Sequence, residues 1–246
     1  MHVNIDYTVN AGLCIATDEE SLLIDVLHRK ETGFSPAPQA LLNRMAAHSD
    51  LFSRKLHLAF THLHGDHFDS ALVRRFLAEY PETDFYGPGL EHAVTGSPAA
   101  AARTQTVDLG SFHLAAFETI HDGKPFADQP HLSFCIKVQG QTFVICGDAT
   151  LEPELADRIF SVCPGTVDAV FLNVYQLASV SGGAFLKKLQ PKQIFLYHLP
   201  FSEDDVYGFH KIAGKIVAQK APEVPAPVEI LEPMQRVPLF SSESLR

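Results

Sequence analysis

The sequence predicts an α/β protein of stacked layers, and three observations carry that expectation. Short apolar runs of strand length alternate with amphipathic stretches of helical spacing along the chain. At 246 residues, 46% hydrophobic and 20% charged, the chain holds enough apolar material for a sizeable core without disulfide staples. No linker, low-complexity tract or internal repeat divides it, so residues 1–246 are expected to form one domain.

In order, "AGLCIAT", a turn at "DEE" and "SLLIDVL" read as a hairpin whose second strand ends at Asp25. "ETGFSPAPQ" is a loop and "QALLNRMAAH" a helix. "KLHLAF" is a buried strand that runs straight into "THLHGDHF". "DSALVRRFLAEYP" is an amphipathic helix, capped by Asp69 or Ser70 and ended by Pro81. "TDFYG", "TQTVDLG" and "FHLAAFETI" are strands, and "HLSFCIKVQGQTFVICGDA" is a hairpin turning at Gly140. Then come a helix ("PELADRIFSV"), a strand ("VDAVFLNVY"), a short helix ("SGGAFLKKLQP") and a strand ending at His198 ("QIFLYHLP"). "DDVYGFHKIAGKIVAQ" reads as the last helix. The Pro-rich tail suits an edge strand, because proline removes a ladder donor.

Composition narrows the function classes. A net charge of −10, from 19 basic and 29 acidic residues, repels phosphate backbones and argues against nucleic-acid partners. The apolar runs are too short to span a bilayer, and the N-terminus lacks the basic and apolar regions of a secretory signal. Cys14, Cys135, Cys146 and Cys163 form no CxxC pair and read as buried thiols in a reducing cytoplasm.

The chemistry concentrates in "THLHGDHF". In extended backbone His62 and His64 point the same way, and Gly65 allows a turn after which Asp66 and His67 emerge. Four metal-capable side chains in six positions are too many for one tetrahedral ion that keeps a water, and they suit two ions. A solvated, histidine-rich turn is the plain alternative, and the strand-to-helix junction speaks against it. Imidazole-rich sites favour zinc, with manganese or iron also acceptable.

"HLHGDH" resembles the HxHxDH motif of the metallo-β-lactamase fold hydrolases. The family's later motifs follow in order: Asp25 in "LLID", His121 in "TIHD", Asp148 in "CGDA" and His198 in "LYHLP". The resemblance implies a four-layer αβ/βα sandwich of two mixed sheets flanked by helices. It implies His62, His64 and His121 on one divalent metal ion and Asp66, His67 and His198 on a second. Asp148 would bridge the two, and Asp25 would orient the ligand loop.

Departures narrow the branch. His67 replaces the arginine of the zinc β-lactamases proper, and Asp148 stands where many of them have cysteine, against an antibiotic-degrading role. His64 is not the glutamate of the flavodiiron branch. "HDGKPFADQPH" sets His131 ten positions after His121, unlike the glyoxalase and lactonase branches. "HLPFSEDD" and "HDGKPF…PHLSF" are similar to a branch from which no substrate follows.

The expectation is a cytoplasmic binuclear hydrolase whose metal-bound hydroxide attacks a small-molecule ester, lactone, amide or phosphodiester. Asp66 and Asp148 are its catalytic carboxylates, and His131 is a candidate proton donor or substrate group. A di-iron oxidoreductase and a non-catalytic ligand-binding protein are the alternatives. Oligomeric state is open. Phe34 and Ser35 lie on a loop that either covers the site or is solvated, and His28 follows Asp25 closely. Tyr175 is expected in the core ahead of the pocket. Lys187 and Lys188 read as a solvated helix face, Gly182 and Gly183 as a turn. His2, His48, His57, His92, His113 and His210 read as structural.

Overall fold

The computed structural model describes residues 3–88 and 104–239. His2 and His92 lie outside them. Five strands form the first sheet, in the order β1 (Asn4–Tyr7), β2 (Leu13–Ala16), β3 (Glu20–Ile24), β4 (Lys55–Ala59) and β5 (Asp84–Tyr86). The seven-stranded second sheet runs β12 (Val228–Ile230), β11 (Gln193–Leu196), β10 (Ala169–Leu172), β9 (Gln141–Ile145), β8 (His131–Val138), β7 (Phe112–Thr119) and β6 (Thr104–Leu109). β1 is the strand that the sequence pattern did not single out.

Period-two burial sorts each strand's side chains between layers. Leu22 and Ile24 of β3 join Phe143 and Ile145 of β9 and Phe171 of β10 in a core between the sheets. Their neighbour Leu23 packs the other way, on Leu41, Met45, Val73 and Phe76 of helices α1 (Gln39–Ala46) and α2 (Ser70–Glu79). Val144, Val170 and Ile194 of the second sheet meet Leu155, Ile159, Phe185 and Ala213 on α3 (Pro153–Val162), α5 (Val180–Leu189) and α6 (Phe209–Lys220). These three apolar seams make the four-layer αβ/βα sandwich. Both faces of the central strands are buried, which explains their continuous apolar runs.

Local signals set the helix ends. Asp69 is the α2 cap, accepting from the amides of Ala71 (2.9 Å) and Leu72 (2.8 Å). Two boundaries differ from the sequence expectation. The strand "VDAVFLNVY" stops at Leu172, because Asn173 and Gln176 form a capping box that opens the short helix α4 (Val174–Ala178). The last helix begins at Phe209, not near Asp204: Gly208 takes φ +74°, and Asp205 accepts from the amides of Phe209 and His210. Gly182 serves packing, since a Cβ there would lie 1.9 Å from the Gln176 carbonyl oxygen.

All four cysteines are buried free thiols. Among the described residues no helix is long and apolar enough to cross a membrane.

Candidate metal centre

β3 runs parallel to β4, and β9, β10 and β11 are mutually parallel. β7 is antiparallel to β8, which is antiparallel to β9, so β7 and β9 share a direction. Asp25, the 62–67 loop, His121, Asp148, Asn173 and His198 therefore all follow the carboxyl ends of strands at one edge of the sandwich. Such crevices collect side chains from segments distant in sequence.

Two groups of donor atoms form there. His62 Nε2 lies 3.1 Å from His64 Nδ1 and 3.3 Å from His121 Nε2. In the second group His67 Nε2 is 3.0 Å from His198 Nε2, and Asp66 Oδ2 is 3.4 Å from His198 Nε2. Asp148 stands between them: Oδ2 is 3.5 Å from His67 Nε2 and 3.9 Å from His121 Nε2, and Oδ1 is 3.7 Å from His198 Nε2. Within each group the ligand atoms all lie within 4.8 Å of one another. The seven residues that the resemblance named as ligands thus fall into these two groups.

The donors suit cations. Nitrogens about 2.0–2.1 Å from a tetrahedral ion stand about 3.3–3.4 Å apart, close to the 3.1 and 3.3 Å between His62 Nε2 and its two neighbours. Hydrogen bonding alone leaves His62 Nε2 shared between two ring nitrogens. The electrostatics also call for positive charge. Burial pushes the Asp148 carboxyl up, but His198 and His67 more than offset it, holding it well below the usual range. Burial disfavours charge on His67, yet Asp66, Asp25 and Asp148 raise it well above an ordinary imidazole. Burial and neighbouring imidazoles keep His62 neutral and ready to donate a lone pair.

The surrounding residues fix which nitrogen faces inward. Asp25 Oδ2 is 2.9 Å from His67 Nδ1, and the Asp25 carboxylate also accepts from the Thr61 amide (2.8 Å) and hydroxyl (2.6 Å). Thr61 Oγ1 is 3.1 Å from His62 Nδ1, and the carbonyl of Asp122 is 2.6 Å from His121 Nδ1. In each case the inward nitrogen is Nε2. Asp25 (φ 52°) and His198 (φ 66°) both hold left-handed backbone, uncommon for such residues.

Sequence reasoning put no weight on Thr61, Asn173 or Gln176. Asn173 Nδ2 donates to Asp148 Oδ1 (3.0 Å), and Gln176 Nε2 donates to the carbonyls of Gly147 (3.0 Å) and Ala149 (2.8 Å), gripping the Asp148 loop from both sides. The signal was present as N-x-x-Q after an apolar strand.

The structure bears on three of the sequence readings. His131 is fully engaged: Nε2 accepts from the Asp148 amide (2.9 Å) and Nδ1 meets Thr119 Oγ1 (2.7 Å). An acceptor on one side and a bound proton on the other leave no nitrogen for proton donation to a substrate. Burial moreover pushes its pKa down to about 3. Tyr175 is 54% exposed, not in the core. The loop after Asp25 is not a solvated one: Phe34 sits edge-on to His198 (centroids 4.9 Å), and Ser35 is buried against Asn10. His28 is buried beside that loop, with Nδ1 3.3 Å from Asn10 Nδ2. His48, His113 and His210 make acidic side-chain contacts away from the centre, and His57 is buried between Asp84 and Glu20. Lys188 pairs with Asp157 on the surface.

No family model matches the chain, and no curated protein matches it in sequence. Solved structures do. The metallo-beta-lactamase fold protein YhfI from Bacillus subtilis is similar at 14% identity over 96% of this chain and 98% of its own, with a TM-score of 0.65. CmlA, a diiron beta-hydroxylase from Streptomyces venezuelae, is similar at 14% identity over 97% of this chain (TM-score 0.64), which spans 54% of the CmlA chain. Isothiocyanate hydrolase from Delia radicum gut bacteria is similar at 13% identity over 96% of this chain and 99% of its own (TM-score 0.63).

Proposed function

We propose that this chain, which has the metallo-β-lactamase fold, is a binuclear metal-dependent hydrolase of a small-molecule ester, lactone, amide or phosphodiester. One observation carries the reading: two convergent donor groups share a single carboxylate, Asp148. His62, His64 and His121 would hold one ion, and Asp66, His67 and His198 the other. Two such ions supply an acidified water nucleophile and charge stabilisation at the reacting carbonyl or phosphoryl oxygen. The chain's own part is positional. Asp25 and Thr61 orient His67 and His62, and Asn173 and Gln176 hold Asp148 between the groups. Zinc is the favoured metal for so many imidazoles, and buried thiols fit a reducing cytoplasm.

The likeness to a diiron hydroxylase supports a second reading, since histidine and carboxylate donors also hold iron. Elemental mass spectrometry on untagged protein separates the two. About two zinc or manganese ions per chain, with turnover lost in His62→Ala and Asp148→Ala, is the expected result. Two irons with oxygen consumption would move the oxidoreductase forward. No metal after reconstitution, or full activity in either variant, would sink the hydrolase.

A further inference from the structure

Resting on the hydrolase reading, we infer that the centre takes an uncharged carboxylic ester with a long alkyl or aromatic group, and not a phosphodiester. Rings flank both donor groups. Phe126, 45% exposed, lies with its ring centroid 5.0 Å from that of His64 and 5.4 Å from that of His121. On the other side Phe34 meets His198 at 4.9 Å and stacks on Phe209 at 5.3 Å. Tyr175 and Tyr207, 54% and 56% exposed, extend that wall from Phe209 at 6.3 and 5.6 Å. Large apolar rings left in water beside a polar cluster are where an apolar ligand gains most from burial.

Charge points the same way. The segments 28–34, 121–130 and 199–208, which bear these rings or adjoin them, carry three basic and six acidic side chains. Two of the three cations are engaged already: Arg29 with Glu31 at 2.8 Å and Lys30 with Asp204 at 2.6 Å. A phosphodiester brings a full negative charge, which two ions at the centre would attract but these flanking segments repel. A neutral ester brings no such charge. In the reaction the water oxygen joins the acyl carbon as the acyl C–O bond breaks. The alcohol leaves with one proton, and the acid yields the other to solvent.

The test compares p-nitrophenyl acetate, p-nitrophenyl octanoate and bis(p-nitrophenyl) phosphate on the metal-loaded full chain. Calorimetry alongside it measures binding of the products acetate and octanoate. We expect kcat/KM for octanoate to exceed that for acetate by at least about tenfold, since each buried methylene adds to binding. Octanoate should bind more tightly than acetate by a similar factor, and both ratios should fall in Phe126→Ala and Tyr175→Ala. Preferred turnover of the phosphodiester, or no chain-length preference in turnover, overturns the inference and leaves the hydrolase standing. Turnover of none of the three, in a metal-loaded chain, counts against the hydrolase itself. The inference is then judged by the calorimetry, where equal binding of the two carboxylates overturns it. A dimer dissociated by Tyr175→Asp, with no chain-length preference, would assign the rings to a second copy of the chain and overturn it too.

Discussion

Oδ2 of Asp25 lies 2.9 Å from Nδ1 of His67, across 42 positions of sequence, and turns that ring's Nε2 towards His198 and Asp148. The same carboxylate takes both the amide and the hydroxyl of Thr61, so one residue anchors the start of the ligand loop and one of its ligands. Asn at position 25 keeps the shape but loses the charge. Asp25→Asn should weaken the His67 ion by about 10–100-fold, the usual effect of removing a partner behind a ligand. The ion on His62, His64 and His121 should be held more nearly as before. Chelator competition that resolves the two ions checks this; equal loss of both would refute it.

His131 is a positioning residue by its contacts, since it accepts the Asp148 amide and is itself buried. His131→Gln should lower kcat while leaving both limbs of the pH–rate profile where they were. Disappearance of one limb would restore the proton-donor role.

His28 makes the stability of the chain pH-dependent. Burial pushes its pKa down to about 4, and its Nε2 has no hydrogen-bond partner among the described residues. A depressed histidine is uncharged in the fold while the unfolded chain still takes up a proton. Its penalty is therefore absent above the unfolded value of about 6.5 and grows as pH falls towards 4. At pH 5 the loss is about 2 kcal/mol relative to pH 7. Urea unfolding at the two pH values should show His28→Gln losing less on acidification than the parent chain.

Gly182 lets α5 pack against the end of α4. A Cβ there would lie 1.9 Å from the Gln176 carbonyl oxygen and 2.8 Å from Ser179 Oγ. Backbone must shift, and Gln176 carries the Asp148 loop with it. Gly182→Ala should cost about 1–3 kcal/mol, as overpacking does, and reduce metal retention as well. Thermal unfolding and metal content are the two readouts; a fall in stability alone would uncouple the helix contact from the loop.

The metal-capable residues were legible because they sit where a strand pattern ends. "KLHLAF", "FHLAAFETI" and "QIFLYHLP" each show an apolar strand delivering or closely preceding a histidine, and that adjacency survives in one dimension. Elements failed where a local device cut across an apolar run. The Asn173–Gln176 capping box ended β10 early and lifted Tyr175 to the surface, and Gly208 delayed α6 to Phe209.

By itself the sequence determined the layer class, the order of most elements and a set of donors at strand ends, since periodicity and residue type are local properties. Only the tertiary structure decided which nitrogen of each histidine turns inward, that His131 is occupied, and that Phe34 and Phe126 stand against His198 and His64. Those facts depend on hydrogen bonds and ring contacts between segments up to 164 positions apart, such as Phe34 with His198. Such contacts exist only once two sheets have packed and brought their carboxyl ends to one edge.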